Sequence, residues 1–296
     1  MYQKNRWKIE TISLPNGSMI RYGVYTQTNC PECWIVFANG REEWIEKYQT
    51  LPKEICLKKN IGFLTWDHRG QGGSSGKRSH IEDIDFYVED GSELLNIVVG
   101  SAPFVLIGHS MGGLIALCAV LKNRVFPRHL ILLSPLLQMR NKPLNRKVAK
   151  SLASLLSLFY LGKLHCGVGS HDCSFDNNPY THDFDSFQKI QSSPYKLPSP
   201  TFSWIRAIFK AIDYISSEKN ISHANIPIDI FTAQNETIVE KNGAKEWATK
   251  ACKLEKKISL KEMKGARHEL LKESPKIKDL LLNDLRHLID QSFQKV

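Results

Sequence analysis

Val105-Leu106-Ile107-Gly108-His109-Ser110-Met111-Gly112-Gly113 joins an apolar run of strand character to a second apolar segment, Leu114 to Leu121, through a G-x-S-x-G turn. A chain that passes from strand to helix over so few residues must bend sharply. The residue at the apex is then held in a strained backbone conformation with its side chain pushed into the open. Gly108 and Gly112 flank Ser110 because a Cβ at either place would meet the neighbouring chain. The turn also aims the first amides of the following helix at the space above Ser110, where negative charge developing on oxygen can be held. Alone, this pentapeptide is a string that any long chain can contain. Between a strand and a helix it reads as a nucleophile elbow.

The rest of the chain supplies a matching frame. Trp7 to Ile12 and Met19 to Tyr25 alternate about the turn residues Pro15-Asn16-Gly17-Ser18, which predicts a β-hairpin. The continuous apolar runs at Trp34 to Ala38 and Gly62 to Trp66 predict strands buried on both faces. Further strands are predicted at Val105 to Ile107, His129 to Leu133, Ile226 to Phe231 and Lys256 to Leu260, alternating with helices over 45–59, 86–99, 244–250 and 276–291. After Ser134-Pro135 the alternation stops for a block of helical pieces over 144–160, 183–191 and 202–217. The expected architecture is α/β, a mostly parallel central sheet with helices on both faces. The core spans 1–134 and 227–296, and a helical lid is inserted at 135–226. Ligands in such sheets bind beyond the carboxyl ends of the strands. The loops carrying Ser134, Glu236 and His268 therefore share an edge with Ser110, with the inserted block above it.

Composition narrows the function. With 42% hydrophobic and 24% charged residues the chain has the balance of an ordinary globular protein, which excludes disorder. The net charge of +10 admits nucleic acid, an anionic surface or an anionic substrate as partner. No zinc-finger spacing, RNP-like strand or defensible helix-turn-helix accompanies it, so no nucleic-acid partner is expected. No apolar h-region follows Met1 to Arg6, and the seven cysteines suit a reduced compartment. The expected location is cytoplasmic, with peripheral contact at the inner face of the cytoplasmic membrane. Cys30-Pro31-Glu32-Cys33 has C-x-x-C spacing but no second pair and no helix start beside it, which reads as a turn with two incidental thiols. No metal and no organic cofactor is implied.

Ser110 needs a base. His268, in Lys264-Gly265-Ala266-Arg267-His268-Glu269, lies between the last strand and the last helix, and the order serine, acid, histidine is the one this fold uses. The acid should follow the strand ending near Phe231. Asp229 lies inside that strand, Glu240 begins or precedes a helix, and Glu236 lies on the loop itself, so Glu236 is the preferred acid. Two backbone donors complete the set: the amide of Met111, directly after the nucleophile, and the amide of Arg41, in the loop Ala38-Asn39-Gly40-Arg41-Glu42-Glu43.

Asn39-Gly40-Arg41-Glu42-Glu43 with Lys47-Tyr48, Asp67-His68-Arg69-Gly70-Gln71-Gly72 with Ser74, Gly108 to Gly113, and Gly265 to Glu269 occur in that order. Phe175-x-x-Asn178-x-x-Thr181-His182 and Pro200-Thr201-x-x-Trp204 lie in the inserted block. Together they resemble the α/β-hydrolase family that contains monoacylglycerol lipases and the bacterial lysophospholipases of the L-two branch. The resemblance implies the α/β-hydrolase fold, a helical lid, a Ser-acid-His triad and a lipid ester substrate. The chain departs from the family pattern at Asn39, where the lipases commonly have histidine, and at Glu236, where most of the wider family has aspartate.

The leading expectation is thus a serine hydrolase cleaving the acyl ester of a lysophospholipid or monoacylglycerol. A peptidase or small-ester hydrolase on the same fold is the alternative within catalysis, and an inactive binding or scaffold protein is the alternative outside it. Asp67 and Arg69 are read as braces that hold the rear loops by ion pairing. The block 135–226 carries eleven basic and six acidic residues. An apolar stripe at Leu144, Val148, Leu152, Leu155, Leu156 and Phe159 runs beside Arg146, Lys147 and Lys150. That pattern suits a helix lying on anionic lipid, and equally a lid helix packed on the core with solvated lysines.

Overall fold

The computed structural model describes residues 7–56, 58–140, 146–158, 161–167 and 173–294. Strands β1 (Trp7–Ser13) and β2 (Met19–Tyr25) form the expected hairpin, with Gly17 at φ 80 in its turn. Strands β3 (Cys33–Ala38), β4 (Ile61–Trp66), β5 (Phe104–His109), β6 (His129–Leu133), β7 (Ile228–Ala233) and β8 (Ile258–Met263) complete one sheet of order β1-β2-β4-β3-β5-β6-β7-β8. The pairings from β4 to β8 are parallel, and only β1 with β2 and β2 with β4 run antiparallel. This is the α/β-hydrolase fold.

The helices are α1 (Leu51–Ile55), α2 (Asp85–Val98), α3 (Met111–Leu121), α4 (Arg146–Leu158), α5 (Phe184–Gln191), α6 (Phe202–Ser216), α7 (Glu218–Ile221), α8 (Gly243–Lys253) and α9 (Pro275–Phe293). The continuous apolar strands feed two cores, because successive side chains point to opposite faces. Trp34, Val36 and Ala38 of β3 pack with α2, α3 and α8 on one face. Ile35 and Phe37 pack with Leu51 and Ile55 of α1 and Leu281 and Leu285 of α9 on the other. The helix predicted over 45–59 is broken into a 3₁₀ turn at Ile45–Tyr48 and the short α1. Pro52 sits in the first turn of α1; it has no amide to donate, so it begins a helix and does not continue one.

Two consequences position the site. The chain leaves β3 for β4 on one side and then lays β5 on the other side of β3, so the strand order reverses between them. A crevice opens at the carboxyl ends of the strands at such a point. The loop after β3 and the turn after β5 therefore face each other. The block between β6 and β7 is anchored through α6, whose Trp204, Ala207, Ile208, Ala211, Ile212 and Ile215 join the core beside α3. Thr201 caps α6 by accepting from the Trp204 amide at 3.3 Å.

Candidate active site

Ser110 stands between β5 and α3 at φ 52 and ψ −117, a backbone state that a non-glycine residue adopts only when its surroundings enforce it. The enforcement is visible. The Ser110 amide donates to the Leu133 carbonyl at 2.9 Å, and its carbonyl accepts from Gly113 and Leu136 at 3.0 Å each. A Cβ on Gly112 would lie 2.1 Å from the Ala38 carbonyl oxygen, and one on Gly108 would lie 2.7 Å from that of Gly112. Both glycines are steric requirements of the turn.

His268 lies in the loop after β8, buried, with Nε2 3.0 Å from Ser110 Oγ and Nδ1 2.7 Å from Glu236 Oε2. The carboxylate can only accept from the ring, so the Nδ1 proton faces Glu236 and the Nε2 lone pair faces the Ser110 hydroxyl. Glu236 is itself oriented: its other oxygen accepts from the amides of Ile238 at 2.8 Å and Val239 at 3.2 Å. Burial works against its charge, but His268 and these amides outweigh burial and hold the carboxyl below its ordinary range. The loop carrying His268 is tied to the helical block, where Pro179 and Tyr180 carbonyls accept from the His268 and Glu269 amides at 3.3 and 2.9 Å. Asp229 instead meets His129 at 2.6 Å and accepts from Ser259, away from this chain of bonds.

In the loop after β3 the Gly40 amide donates to the Glu43 carboxylate and the Glu42 amide donates to Gln71 Oε1 at 2.8 Å. Arg41 lies between these two anchored amides. Among the described residues, nothing accepts from the backbone amide of Arg41 or of Met111. The Arg41 guanidinium donates to Ser79 Oγ in the loop after β4 at 2.6 Å and, in the helical block, to the Pro198 carbonyl at 2.7 Å, and lies 5.6 Å from the Trp204 ring centre. Asn39, where the resembling lipases carry histidine, is buried. Its side-chain amide has no partner among the described residues, and its carbonyl accepts from His68 at 2.9 Å.

Behind the site is a buried charge cluster that the sequence reading did not identify. Lys47 Nζ lies 2.5 Å from Glu43 and 2.8 Å from Glu269, Tyr48 donates to Glu43 at 2.6 Å, and His109 Nδ1 lies 3.1 Å from Glu43. Burial opposes the charge on Glu43, yet Lys47 and His109 hold its carboxyl well below the ordinary range. Burial likewise opposes protonation of His109, yet Glu43 and Glu269 raise its pKa. Glu43, His109 and Glu269 converge closely enough to suit a metal, but the cation among them is Lys47. The signal was present as charged residues four apart, Glu43 and Lys47, on a turn that also carries Trp44 and Ile45. The Asp67 and Arg69 braces are ion pairs as expected, though not with each other: Asp67 pairs with Arg21 at 2.8 Å and Arg69 with Asp90 at 2.6 Å. Cys30 is exposed, Cys33 is buried in β3, and both are free thiols.

A cavity of about 200 Å³ opens over Ser110, lined among others by Arg41, Trp44, Tyr180, Ile190, Lys196 and Ile238. Residues 29–275 match the family described as serine aminopeptidase, S33. The chain belongs to the S33 family. This S33 chain is 27% identical to a monoglyceride lipase homolog of Monkeypox virus over 265 residues, covering 86% of this chain and 88% of that protein. It is 24% identical to a phospholipase of Bacillus subtilis over 246 residues, covering 82% and 90%. Its fold is similar to that of a soluble variant of monoglyceride lipase from Saccharomyces cerevisiae, solved with a substrate analog. The TM-score is 0.78 at 20% identity, over 99% of this chain and 97% of that one.

Proposed function

We propose that this chain is a serine hydrolase that cleaves the acyl ester of a monoacylglycerol or lysophospholipid. The observation that carries this reading is the continuous hydrogen-bonded series Ser110, His268, Glu236 beneath a cavity covered by the helical block. Ser110 Oγ attacks the ester carbonyl while His268 Nε2 takes its proton. His268 then gives that proton to the departing alcohol, leaving an acyl-serine. Water attacks the acyl-serine by the same route and releases the fatty acid. Glu236 keeps the imidazole in the required tautomer and stabilises its charged form. The amides of Met111 and Arg41 hold the oxyanion. Residues 135–226 act as the lid.

The family description raises aminopeptidase activity as the alternative, which requires an unpaired carboxylate for the substrate ammonium. Glu43 and Glu269 share Lys47, and Glu42 accepts from the Leu197 amide at 2.8 Å and lies 3.7 Å from Arg41. The carboxylates at the cavity are thus committed within the protein, which favours the ester. A hydrolysis panel of monoacylglycerols, lysophospholipids, short p-nitrophenyl esters and aminoacyl amides tests the assignment. Turnover of the lipid esters above the amides is expected, and turnover of amides alone would overturn it.

Contact with the substrate's membrane is peripheral in this account. No described helix is long and apolar enough to cross a bilayer. On α4, Val148, Leu152 and Leu155 are 54%, 42% and 52% exposed, while Ala153 is buried. The stripe thus offers apolar side chains to solvent, a pattern that suits an interfacial helix.

A further inference from the structure

Gln71 lies in the turn after β4, one element removed from the groups assigned to the reaction, and it is 1% exposed. Its main chain is held on both sides: its amide donates to the His68 carbonyl at 2.9 Å and its carbonyl accepts from the Ser74 amide at 3.1 Å. Its side chain reaches two other elements. Oε1 accepts from the Glu42 amide at 2.8 Å, and Nε2 lies 3.7 Å from Met111 Sδ. One buried side-chain amide therefore holds the backbone of the residue after Arg41 and lies against the thioether of the residue after Ser110.

The Glu42 contact controls geometry. Glu42 is held at φ 65, in the left-handed region that a glutamate does not favour. Gln71 holds its amide and Leu197 holds its carboxylate. The Glu42 nitrogen shares a peptide plane with the Arg41 carbonyl, and the Gly40 nitrogen, bonded to Glu43, shares one with the Asn39 carbonyl. The Arg41 amide belongs to the plane between these two, so its direction is set only while both are held. We propose that Gln71 is a positioning residue that, by holding the Glu42 amide, fixes the direction of the Arg41 amide beside that of Met111. The inference rests on the reading that these two amides bind the oxyanion.

A group that orients oxyanion donors affects the transition state and leaves ground-state binding of the ester untouched. Loss of one donor from an oxyanion hole costs about 10²–10³-fold in kcat. Gln71→Met keeps the length of the side chain and loses its amide. With a soluble short ester, kcat should fall by roughly 10–100-fold with KM within about a factor of two. Affinity for a trifluoromethyl ketone, whose adduct with serine places an oxyanion in the same position, should fall in step. Affinity for a non-hydrolysable ether analogue should stay. Gln71→His, which can present a ring nitrogen to the Glu42 amide and a donor toward Met111, should recover most of kcat. If Gln71→Met proves unfolded by circular dichroism, Gln71→His and Gln71→Leu carry the same comparison. Equal ketone affinity in a folded Gln71→Met protein and the wild type would overturn the proposal while leaving the oxyanion reading standing. Failure of the wild type to bind the ketone would overturn the oxyanion reading itself.

Discussion

In the proposed mechanism the two nitrogens of His268 have different jobs because they have different partners, a carboxylate at Nδ1 and a hydroxyl at Nε2. Glu236→Gln keeps the shape but cannot balance the imidazolium that forms, so turnover should drop by about 10⁴-fold. Asp229→Asn disturbs the His129 and Ser259 contacts, away from the site, and should leave turnover near wild type, and steady-state kinetics on a short ester decides between them. The order of effects would reverse if Asp229 were the acid. The same loop position singled out Glu236 in the sequence, since the strand before it and its place on the loop were both legible. Glu43 was not legible as more than part of a motif, because Glu269, which shares Lys47 with it, and His109 are 226 and 66 positions away and reach it only in the fold. Glu43→Gln should leave Lys47 and His109 without their shared carboxylate and destabilise the protein by about 3–5 kcal/mol, read by urea unfolding at neutral pH. The carboxyl is held well below its ordinary value of 4.5. The stabilisation it contributes is therefore present above that value and is lost as pH falls below it toward the folded pKa.

At the scale of elements, the loops after β3 and β4 and the segment 197–201 of the inserted block hold each other. Leu197 donates to Glu42, Pro198 accepts from Arg41, and the Thr201 amide donates to the Ser79 carbonyl at 3.1 Å. No period in the sequence marks such bonds, since they join loops without repeating pattern. The stripe on α4 was legible as a helix but not as to what it faces. Val148, Leu152 and Leu155 face outward, and Lys150 pairs with Asp213 of α6. Leu144 and Phe159, and the side chains of Arg146 and Lys147, lie outside the described residues. In the peripheral-contact account each Lys or Arg near an anionic surface contributes about 1 kcal/mol, over a screening length of about 8 Å at physiological salt. Sedimentation with anionic vesicles should weaken with added salt. Changing Arg146, Lys147 and Lys150 together to Gln should weaken it further, with hydrolysis of a soluble short ester unchanged. Equal sedimentation with neutral and anionic vesicles at low and high salt would leave the stripe without an electrostatic role.

For the whole molecule, the strand and helix rhythm made the parallel sheet legible, while the reversal of strand order at β3 and β5 was not, because order depends on which neighbour a strand chooses. With β4 beside β3, His68 and Gln71 of the turn after β4 lie against the loop after β3. His68 is buried with its Nδ1 facing the Trp66 indole N–H at 3.2 Å and its Nε2 facing the Asn39 carbonyl. An indole only donates, so Nδ1 accepts and the ring is neutral. Burial pushes the His68 pKa down from 6.5 to about 4. An unfolded chain binds this proton more readily than the folded one, so stability falls as pH drops from about 6.5 to about 4, by roughly 3 kcal/mol in total. His68→Gln should flatten that part of the curve in thermal melts taken across the window.

Whether Ser110 carries the chemistry on a lipid ester is decided by the turnover of a monoacylglycerol and a lysophospholipid by the wild type and by Ser110→Ala, both verified as folded. The substitution removes an elbow hydroxyl and no core volume, so the fold should persist while turnover falls by about 10⁴-fold or more. Retention of a tenth or more of wild-type turnover by the folded variant would contradict the account.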